Sequence, residues 1–433
     1  AVFLQRFFAE PDDANFFLID EAHNLVSRAR DMYSAEIDDA AFTQLKVALA
    51  PFKGAGLPAI KGNITKLITA FDVVRLSMDG QREMFRADPV EAFVEALDRL
   101  SQSIHEWLSG ELRTDQQAVV DLLLPVYFVC LGFLRIYDFY NDCFETKLTD
   151  DGQKLTIKEM CLDPSEFISA SLDKGRGAVL FSATLSPLPY YQDVLGGSEN
   201  SLAYRLASPF DPKHQAVIVT GNIQTTYKQR QQSLPEVIAS LTVMCGAQPG
   251  HYLVFLPSYA YLTQVAEAFE VANPDMKVVK QVGTMDAEAR AQFLDHFRED
   301  PDPLIGFAVL GGIFSEGIDL KGAQLIGVAI ISVGLPGLNS ETDRLKAYFD
   351  RVNGNGFAYA YQLPGFNNVL QAGGRVIRGS HDRGVILLLD ARFCRPDYAQ
   401  LFPPHWAHAT VSYGLEQLAG QLTDFWATEK EDS

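Results

Sequence analysis

The sequence predicts an α/β protein with two parallel-sheet domains, the first of them interrupted by a helical insertion. Three observations support this prediction. After about residue 198, short apolar stretches alternate with helical ones, as in βα units. Two further apolar stretches, FFLI and GAVLF, lie on either side of a long region whose apolar residues recur at helical spacing. The chain has 433 residues, of which 47% are hydrophobic, so it can bury two or three sizeable cores.

The stretch FFLIDEAHNL, residues 16–25, opens the first sheet domain. Its apolar half has the length and composition of a strand buried on both faces. Asp20 and Glu21 follow at the end of this strand, and ligands bind at that edge of open parallel sheets. Asp20 is therefore well placed to hold a metal ion, and Glu21 to polarise a water. The structural alternative is that Asp20 caps a helix that begins near Ala22.

A helical region follows, from about residue 34 to residue 140. VEAFVEALDRLSQSIHEWL has one apolar face, and DQQAVVDLLLPVYFVCLGFLRIYDFY predicts a second long helix, kinked or divided at Pro125. The segment KGAGLPAIKGN, residues 53–63, has too many Gly and Pro residues to continue a helix. The prediction is an all-helical insertion over 34–140.

The first sheet domain then resumes, so that it consists of residues 1–33 and 141–197. FETKLTDDGQKLTIKEMCL predicts a hairpin that turns at DDG, and GAVLFSATLSP predicts a short strand that ends in small hydroxyl residues.

The second sheet domain covers residues 198–433. Helices are predicted at YAYLTQVAEAFEVA and AEARAQFLDHFRED, between strands of the parallel sheet. The predicted strands are AVIVT, HYLVFLPS, KVVKQ, LIGFAVLGG, LIGVAIISV, AYAYQLP and GVILLLD. The tail ATEKEDS is typical of disorder.

Composition limits the classes of partner. The net charge of −19 argues against a surface that coats nucleic acid, so any nucleic-acid site must be a local groove. The five cysteines form no CxxC pair, so we expect neither a disulfide framework nor a zinc site. No apolar run reaches the roughly 18 to 20 residues of a membrane span, and no signal peptide is present. We expect a cytoplasmic monomer with no membrane partner.

Four short segments lie at the ends of predicted strands or next to predicted helices. They are LIDEAH (18–23), FSATLSP (181–187), GGIFSEGIDLKG (311–322) and QAGGRVIRG (371–379). In this order they resemble the superfamily 2 helicases. The segments SATLSP, YLVFLPSY and SEGIDLKG and the block QAGGRVIRGSHDRGVILLLDARF resemble the XPD/DinG family of DNA helicases within them. The resemblance implies two RecA-like domains, the first incomplete, and an Arch-like domain at the helical insertion.

The resemblance implies ATP, Mg²⁺ and single-stranded DNA as ligands, with 5′ to 3′ movement along the strand. Asp20 would hold the Mg²⁺ of ATP, through a water, and Glu21 would activate the attacking water. His23 would connect this segment with the other motifs, and Gln371 would bridge toward it.

Arg375 and Arg378 lie three residues apart, so on a helix they would share a face and reach one phosphate group together. By the resemblance, Arg378 is the first candidate for an arginine finger that stabilises charge on the transferring phosphoryl group, and Arg375 is the second. Structural ion pairs with Asp382 or Asp390 are the alternative.

Glu316 and Asp319 resemble the segment that links nucleotide to DNA in this family, although Asp319 can also cap a turn. Gly317 would let backbone amides approach a ligand. Ser182, Thr184 and Ser258 offer hydroxyl groups where the family couples the ATP state to the single strand, and strand-end capping is their alternative. Four aromatic residues are candidates for stacking bases in a single-strand groove, namely Tyr227, Tyr259, Tyr261 and Phe314.

The 433 residues contain no GxxxxGK[ST] loop and no Gly-Lys dipeptide. The lysine and amide nest that hold the β- and γ-phosphates are therefore not among them. Family members carry this loop upstream of DEAH, and in many of them four cysteines between the two hold an iron–sulfur cluster. We expect both features before Ala1, so that the chain is the C-terminal part of a helicase with negligible ATPase by itself. An iron–sulfur cluster is expected only in that upstream region.

Two other functions stay open at this stage. The first is a non-catalytic DNA-binding or partner-binding module that keeps the helicase architecture, which an upstream phosphate loop would argue against. The second is an RNA translocase, which competition between DNA and RNA strands in controlled salt would distinguish.

Overall fold

The computed structural model describes residues 12–110, 116–315 and 318–427. The chain forms two compact units. The first unit covers Ala1–Leu185 and Pro189–Ser201, and the second covers Ser186–Leu188 and Leu202–Ser433. Most of the tail ATEKEDS lies outside the described residues.

The first unit contains a parallel strand pair, an antiparallel sheet and several helices. In chain order the elements of this part are β1 (Asp12–Ile19), α1 (Leu25–Met32), β2 (Ala35–Asp38), α2 (Asp39–Leu49), α3 (Leu57–Ser77), β3 (Glu83–Arg86), α4 (Glu91–Leu108), α5 (Gln117–Tyr137), β4 (Phe144–Asp150), β5 (Leu155–Cys161), α6 (Ser165–Leu172), β6 (Gly175–Leu180) and α7 (Leu188–Val194).

The parallel pair consists of β1 and β6, aligned so that Leu18 lies opposite Val179. Burial of β1 on both faces was predicted, and this is wrong. Phe16 and Leu18 are 55% and 70% exposed, and Val179 on the same face is also exposed. The reason is that the sheet has two strands within the described residues. An exposed apolar face of this kind is typical of a surface that contacts further protein.

The insertion contains a four-stranded antiparallel sheet, in the order β2-β5-β4-β3. The predicted hairpin is confirmed as β4 and β5, but it pairs with β2 and β3, the two strands of the insertion. The insertion is therefore not all-helical, and its sheet continues past residue 140 to Cys161. Ile37 and Ile157 join the apolar core of the helices. At four residues each, β2 and β3 are too short to show an alternating pattern.

Two prolines lie within helices of the insertion, Pro58 at the start of α3 and Pro125 inside α5, and of the two alternatives at Pro125 the division of the helix is not observed. The segment 53–63 contains the start of α3 at Leu57, with Pro58 in the first helical turn. Proline is tolerated there because the amide that it lacks has no partner inside the helix. Helix α5 is one continuous helix with Pro125 inside it, not two.

Helix α5 is long and apolar enough to cross a membrane, by length and composition. The expectation that no segment reaches this length is wrong for this helix. One face of α5 packs in the core of the insertion through Leu123, Cys130 and Phe133, and the other exposes Phe128 and Val129. A core helix passes the same length and composition test, so this one helix does not identify a membrane protein.

Strand β5 carries a buried carboxyl group at Glu159, which is 1% exposed. The residue lies on the same buried face of the strand as Ile157 and Cys161, and Thr146 lies opposite on β4. Its Oε2 has no hydrogen-bond partner among the described residues. Burial, and then the neighbouring Asp138 carboxylate, raise the pKa of Glu159 from 4.5 to about 8. At neutral pH the folded protein therefore holds a proton on this group.

Replacing Glu159 by Gln should make the stability of the first unit less dependent on pH. Between about pH 4.5 and 8 the unfolded chain loses this proton and the folded chain keeps it. The free energy of unfolding should therefore fall with rising pH, by up to about 1.4 kcal/mol per pH unit. Denaturant unfolding at several pH values would measure the slope. Glu36→Gln, at an exposed position on β2, is the matched control, and equal slopes for both variants would contradict the prediction.

The second unit is a parallel sheet covered by helices. In chain order its described elements are β7 (Gln215–Thr220), α8 (Arg230–Ala247), β8 (His251–Leu256), α9 (Tyr259–Ala272), β9 (Lys277–Lys280), α10 (Ala287–Glu299), β10 (Leu304–Val309), β11 (Gly327–Ile331), α11 (Ser340–Asn353), a π-helix (Ala358–Gln362), α12 (Leu363–Gly373), β12 (Gly384–Leu389), α13 (Pro396–Ala399), β13 (Thr410–Ser412) and α14 (Leu415–Ala427).

The sheet has seven parallel strands in the order β13-β7-β12-β11-β8-β10-β9. Six of the predicted strands are confirmed in position, and AYAYQLP is wrong because it forms the π-helix and the start of α12. Consecutive residues 359–362 are all buried, so this stretch has no strand-like alternation. A mixed α/β fold with parallel sheets is thus confirmed.

Because the strands are parallel, their carboxyl ends lie at one edge of the sheet. The segments after β7, β8, β10, β11 and β12 all start from this edge. Strands β8, β11 and β12 are buried along their whole length, and their side chains pack against α8 and α9. The second unit therefore offers a rigid base for loops that carry polar groups.

Candidate functional site

In the first unit, the DEAH segment follows β1 and the SAT segment follows β6. The amide of Ala22 donates to the carbonyl of Phe181 at 3.1 Å, which joins the two segments just beyond the strand pair. Glu21 has a φ of 49° and a ψ of 41°, in the left-handed region that is unfavourable for a residue with a side chain. Such strain is found where the surrounding structure and a function both require it.

A hydrogen-bonded cluster connects the two segments. Nδ1 of His23 lies 2.8 Å from Oγ of Ser182 and 3.3 Å from Oγ1 of Thr184. The Ser182 hydroxyl lies 3.1 Å from Oε2 of Glu21, to which it can donate. The His23 side chain is buried, whereas the Glu21 carboxylate is exposed. The structure thus brings together His23, Ser182, Thr184 and Glu21, four of the predicted site residues, around one imidazole ring.

Removing the Ser182 hydroxyl should weaken this cluster. Ser182→Ala leaves the buried His23 ring with one hydroxyl neighbour fewer, and we expect a loss of about 1 kcal/mol in the free energy of unfolding. Ser198→Ala, at an exposed serine of the same unit, is the matched control. Denaturant unfolding of the two variants gives the comparison, and equal stability would argue against the cluster.

Asp20 is exposed at the end of β1, and its Oδ1 accepts the amide of Glu21 at 2.7 Å. A 3-10 helix does begin at Ala22, as the capping alternative expected, but its N-cap residue is Glu21 and no side chain forms a capping bond, so Asp20 does not cap it. The described residues contain no group of three or more metal-ligating side chains. A single carboxylate fits Mg²⁺, which commonly binds one or two carboxylates and completes its shell with waters and phosphates.

In the second unit, two arginines converge on one backbone oxygen. The guanidinium groups of Arg375 and Arg378 donate to the carbonyl of Ile318 at 3.1 and 3.2 Å. They do not share a helix face, because α12 ends at Gly373 and both residues follow it. The turn after the helix nevertheless brings both guanidinium groups to Ile318, which belongs to the segment GGIFSEGIDLKG.

The described contacts do not match the alternative of structural ion pairs. Asp382 accepts the backbone amides of Arg378 and Gly379 at 2.8 and 2.7 Å. Asp390 is buried and forms an ion pair with Arg392 at 2.8 Å. These two carboxylates are therefore engaged by other groups.

The other predicted residues of the second unit are Ser258, Tyr259, Gly317, Asp319, Gln371 and Glu316, the last of which lies outside the described residues. Asp319 is exposed and pairs with Lys321 at 3.1 Å, and Gln371 is buried on α12. Ser258 caps α9 by accepting the amide of Tyr261, so its capping alternative is the observed contact. Tyr259 is partly exposed, and its hydroxyl accepts from the Gln281 side chain at 2.9 Å. Gly317 lies outside the described residues.

Exposure separates the four aromatic candidates. Tyr261 and Phe314 are buried in the core, so they cannot stack bases. Tyr259 is 40% exposed and Tyr227 is 86% exposed. Only the latter two remain candidates for contact with a base.

A polar network centred on Asp390 was not predicted from the sequence. Its carboxylate accepts from the amide and hydroxyl of Thr225 and from Arg392, whose guanidinium also donates to Ser332. These groups come from the carboxyl ends of β7, β11 and β12. Asp390 and Arg392 belong to the DARF sequence that follows β12. Nothing in the sequence spacing indicates that Thr225 and Ser332 join them.

The chain is similar to known helicases in sequence and in fold. The family model described as a helicase C-terminal domain matches residues 241–409. The ATP-dependent DNA helicase CHL1 of Scheffersomyces stipitis is 23% identical over 474 aligned residues, covering 94% of this chain and 56% of that protein. The general transcription and DNA repair factor IIH helicase subunit XPD/RAD3 of Saccharomyces cerevisiae is 28% identical over 258 residues, covering 54% of this chain and 32% of that protein.

Two solved structures share the fold. Xpd4 of S. tokodaii aligns with a TM-score of 0.59 and 14% identity, and covers 94% of this chain and 79% of its own. An apo XPD structure aligns with a TM-score of 0.55 and 17% identity, with the same coverage. The chain spans about half or less of the length of the curated relatives named above. The chain thus contains a match to a helicase C-terminal domain, is similar in sequence to the CHL1 and XPD/RAD3 helicases, and shares its fold with two XPD structures, which together support the resemblance to XPD/DinG-type helicases.

Proposed function

We propose that this chain is the part of an ATP-dependent DNA helicase that activates the attacking water and stabilises the phosphoryl group. The protein would move 5′ to 3′ on single-stranded DNA, in the cytoplasm, as a monomer. The observation that carries the proposal is the cluster at DEAH, where a strained glutamate, an exposed aspartate and a buried histidine meet the SAT segment. The CHL1 relatives of Scheffersomyces stipitis and Coccidioides immitis are ATP-dependent DNA helicases, which supports the same class.

Glu21 is proposed as the general base for the attacking water. Its carboxylate is exposed at a sheet edge, and the Ser182 hydroxyl orients one of its oxygens. In phosphoryl transfer, positioning the nucleophile and stabilising charge supply most of the catalysis. The His23 ring holds the Ser182 hydroxyl in place. A movement of the SAT segment would therefore change the position of the Glu21 carboxylate.

Asp20 is proposed to hold the Mg²⁺ of ATP through a water. When bound, the metal ion neutralises charge on the β- and γ-phosphates. The hydrogen bond from the Glu21 amide orients one oxygen of Asp20.

Arg378, assisted by Arg375, is proposed to stabilise charge on the transferring phosphoryl group. A guanidinium fork binds phosphate oxygens in pairs and stays charged at neutral pH. The carbonyl of Ile318 holds both arginines in position, one residue before Asp319, and Gln371 precedes them on α12. Arg375 and Arg378 thereby contact the segment that is proposed to link nucleotide to DNA.

ATP turnover is proposed to need a phosphate-binding loop that these 433 residues do not contain. The test compares ATP hydrolysis, with and without single-stranded DNA, by this chain and by a version extended upstream to include a GxxxxGK[ST] loop. We expect background turnover from this chain and DNA-stimulated turnover from the extended protein. Robust hydrolysis by this chain alone would contradict the proposed role of the loop. An extended protein that binds DNA but hydrolyses no ATP would favour a non-catalytic module.

A further inference from the structure

The loop between β7 and α8 lies outside the four segments that carry the family resemblance, and it is held in a defined conformation. The amide and hydroxyl of Thr225 donate to the buried carboxylate of Asp390. Nε of Arg230 donates to the carbonyl of Thr225 at 3.3 Å. The hydroxyl of Thr226 donates to the Gln229 side chain at 2.8 Å. A loop with this many internal contacts presents its side chains in one arrangement, at the edge of the sheet where ligands bind.

This loop presents an aromatic ring next to a cation. Tyr227 is 86% exposed, and the Arg230 guanidinium carbon lies 5.7 Å from the centre of its ring. The same guanidinium lies 4.6 Å from the ring centre of Tyr261, which is buried and forms the floor. Arg230 is thus placed between a buried ring and an exposed one.

Arg230 has no carboxylate partner within 4.0 Å among the described residues. Burial lowers the pKa of Arg230. The like charge of Arg392, which is itself paired with Asp390, also lowers the pKa of Arg230. A half-buried cation is normally paired, so a site of this kind favours an anionic ligand. The guanidinium fork is suited to phosphate oxygens.

We propose that Tyr227 and Arg230 form a subsite for one nucleotide of a single nucleic-acid strand, with the base on the Tyr227 ring and the phosphate on the Arg230 guanidinium. Stacking on an aromatic ring beside a basic group is how proteins bind single strands without reading sequence. The open face of Tyr227 fits a base within a continuing strand better than an enclosed free nucleotide. This inference rests on the proposed function, because it assumes that the protein binds a single strand.

The test measures binding of this chain to a fluorescent oligothymidine and to a fluorescent ATP analogue, by anisotropy at several salt concentrations. Tyr227→Ala should weaken oligothymidine binding about ten-fold, and Tyr227→Phe should retain it. Arg230→Gln should lower the dependence of log affinity on log salt by about 0.7, because one phosphate contact is lost. Tyr204→Ala, at another exposed tyrosine of the second unit, is the matched control and should bind as the unaltered chain does.

The outcomes separate the two proposals. If the unaltered chain binds the strand and Tyr227→Ala binds equally well, the subsite is overturned and the proposed function stands. If Tyr227→Ala weakens only the ATP analogue, the site takes a free nucleotide and the assignment to a strand is overturned. If the unaltered chain binds no strand at all, both are overturned. Tyr227 is exposed, so its replacement tests the site without disturbing the core.

Discussion

Replacing Glu21 by Gln should lower kcat for ATP hydrolysis about 100- to 10,000-fold in the protein extended to include a phosphate-binding loop. The amide keeps the size of the side chain and can still contact Ser182, but it cannot accept a proton from the attacking water. Binding of the ATP analogue should be nearly unchanged. Steady-state hydrolysis with single-stranded DNA, together with analogue binding, measures both effects.

Glu21→Gly separates a catalytic role from a structural one. With φ at 49°, a glycine relieves the strain at this position, so the free energy of unfolding should stay the same or rise by up to about 1 kcal/mol, while turnover is lost. Glu36→Gln, at an exposed glutamate of the same unit, should leave turnover unchanged. Turnover near that of the unaltered protein in Glu21→Gln would argue that this carboxylate is not the base.

Replacing Arg378 by Ala should lower kcat about 1,000- to 100,000-fold, the range attributed to an arginine that stabilises phosphoryl charge. Arg378→Lys keeps the charge but loses the planar fork, so we expect it to restore only part of the activity. Hydrolysis rates at saturating ATP and DNA, measured in the extended protein, provide the comparison.

Arg395→Ala is the matched control for Arg378. Arg395 is exposed and paired with Asp397 on the surface of the same unit, so its loss should leave kcat unchanged. The structural alternative for Arg378 is that it only anchors the segment at Ile318. In that case Arg378→Ala would lower stability, Arg378→Lys would restore activity fully, and kcat would fall little.

Much of the second unit can be predicted from the sequence, because its strands are fully buried. Runs such as HYLVFL and GVILLL are apolar throughout and end at turn-forming or polar residues, which is typical of central parallel strands. AYAYQLP has a similar composition but forms the π-helix and the start of α12, where residues 359–362 are buried at four successive positions. Short apolar runs of this kind do not by themselves distinguish strand from helix.

The insertion was harder to predict, because its strands β2 and β3 depend on partners far away in the chain. Ala35 pairs with Glu159 and Glu83 with Thr149, so neither strand has a local partner that would indicate a hairpin. Glutamate side chains are normally exposed, so the sequence does not indicate that Glu159 is buried. Tertiary contacts decided the structure at these positions.

The candidate site was predictable as segments but not as contacts. The motif order indicated which segments matter, yet the hydrogen bond between His23 and Ser182 joins residues 159 positions apart. The Tyr227 and Arg230 pair was not predictable as a unit, because it depends on the buried Asp390 that holds the loop. Sequence spacing carries no information on such contacts.

The proposed function requires both Glu21 and Arg378 for ATP hydrolysis. The double variant Glu21→Gln with Arg378→Ala, measured for DNA-stimulated ATP hydrolysis in the extended protein, tests it directly. Groups that act as one unit in a transition state are strongly non-additive, so the double variant should hydrolyse ATP about as fast as the slower single variant. Losses that multiply, as for independent sites, would contradict the claim.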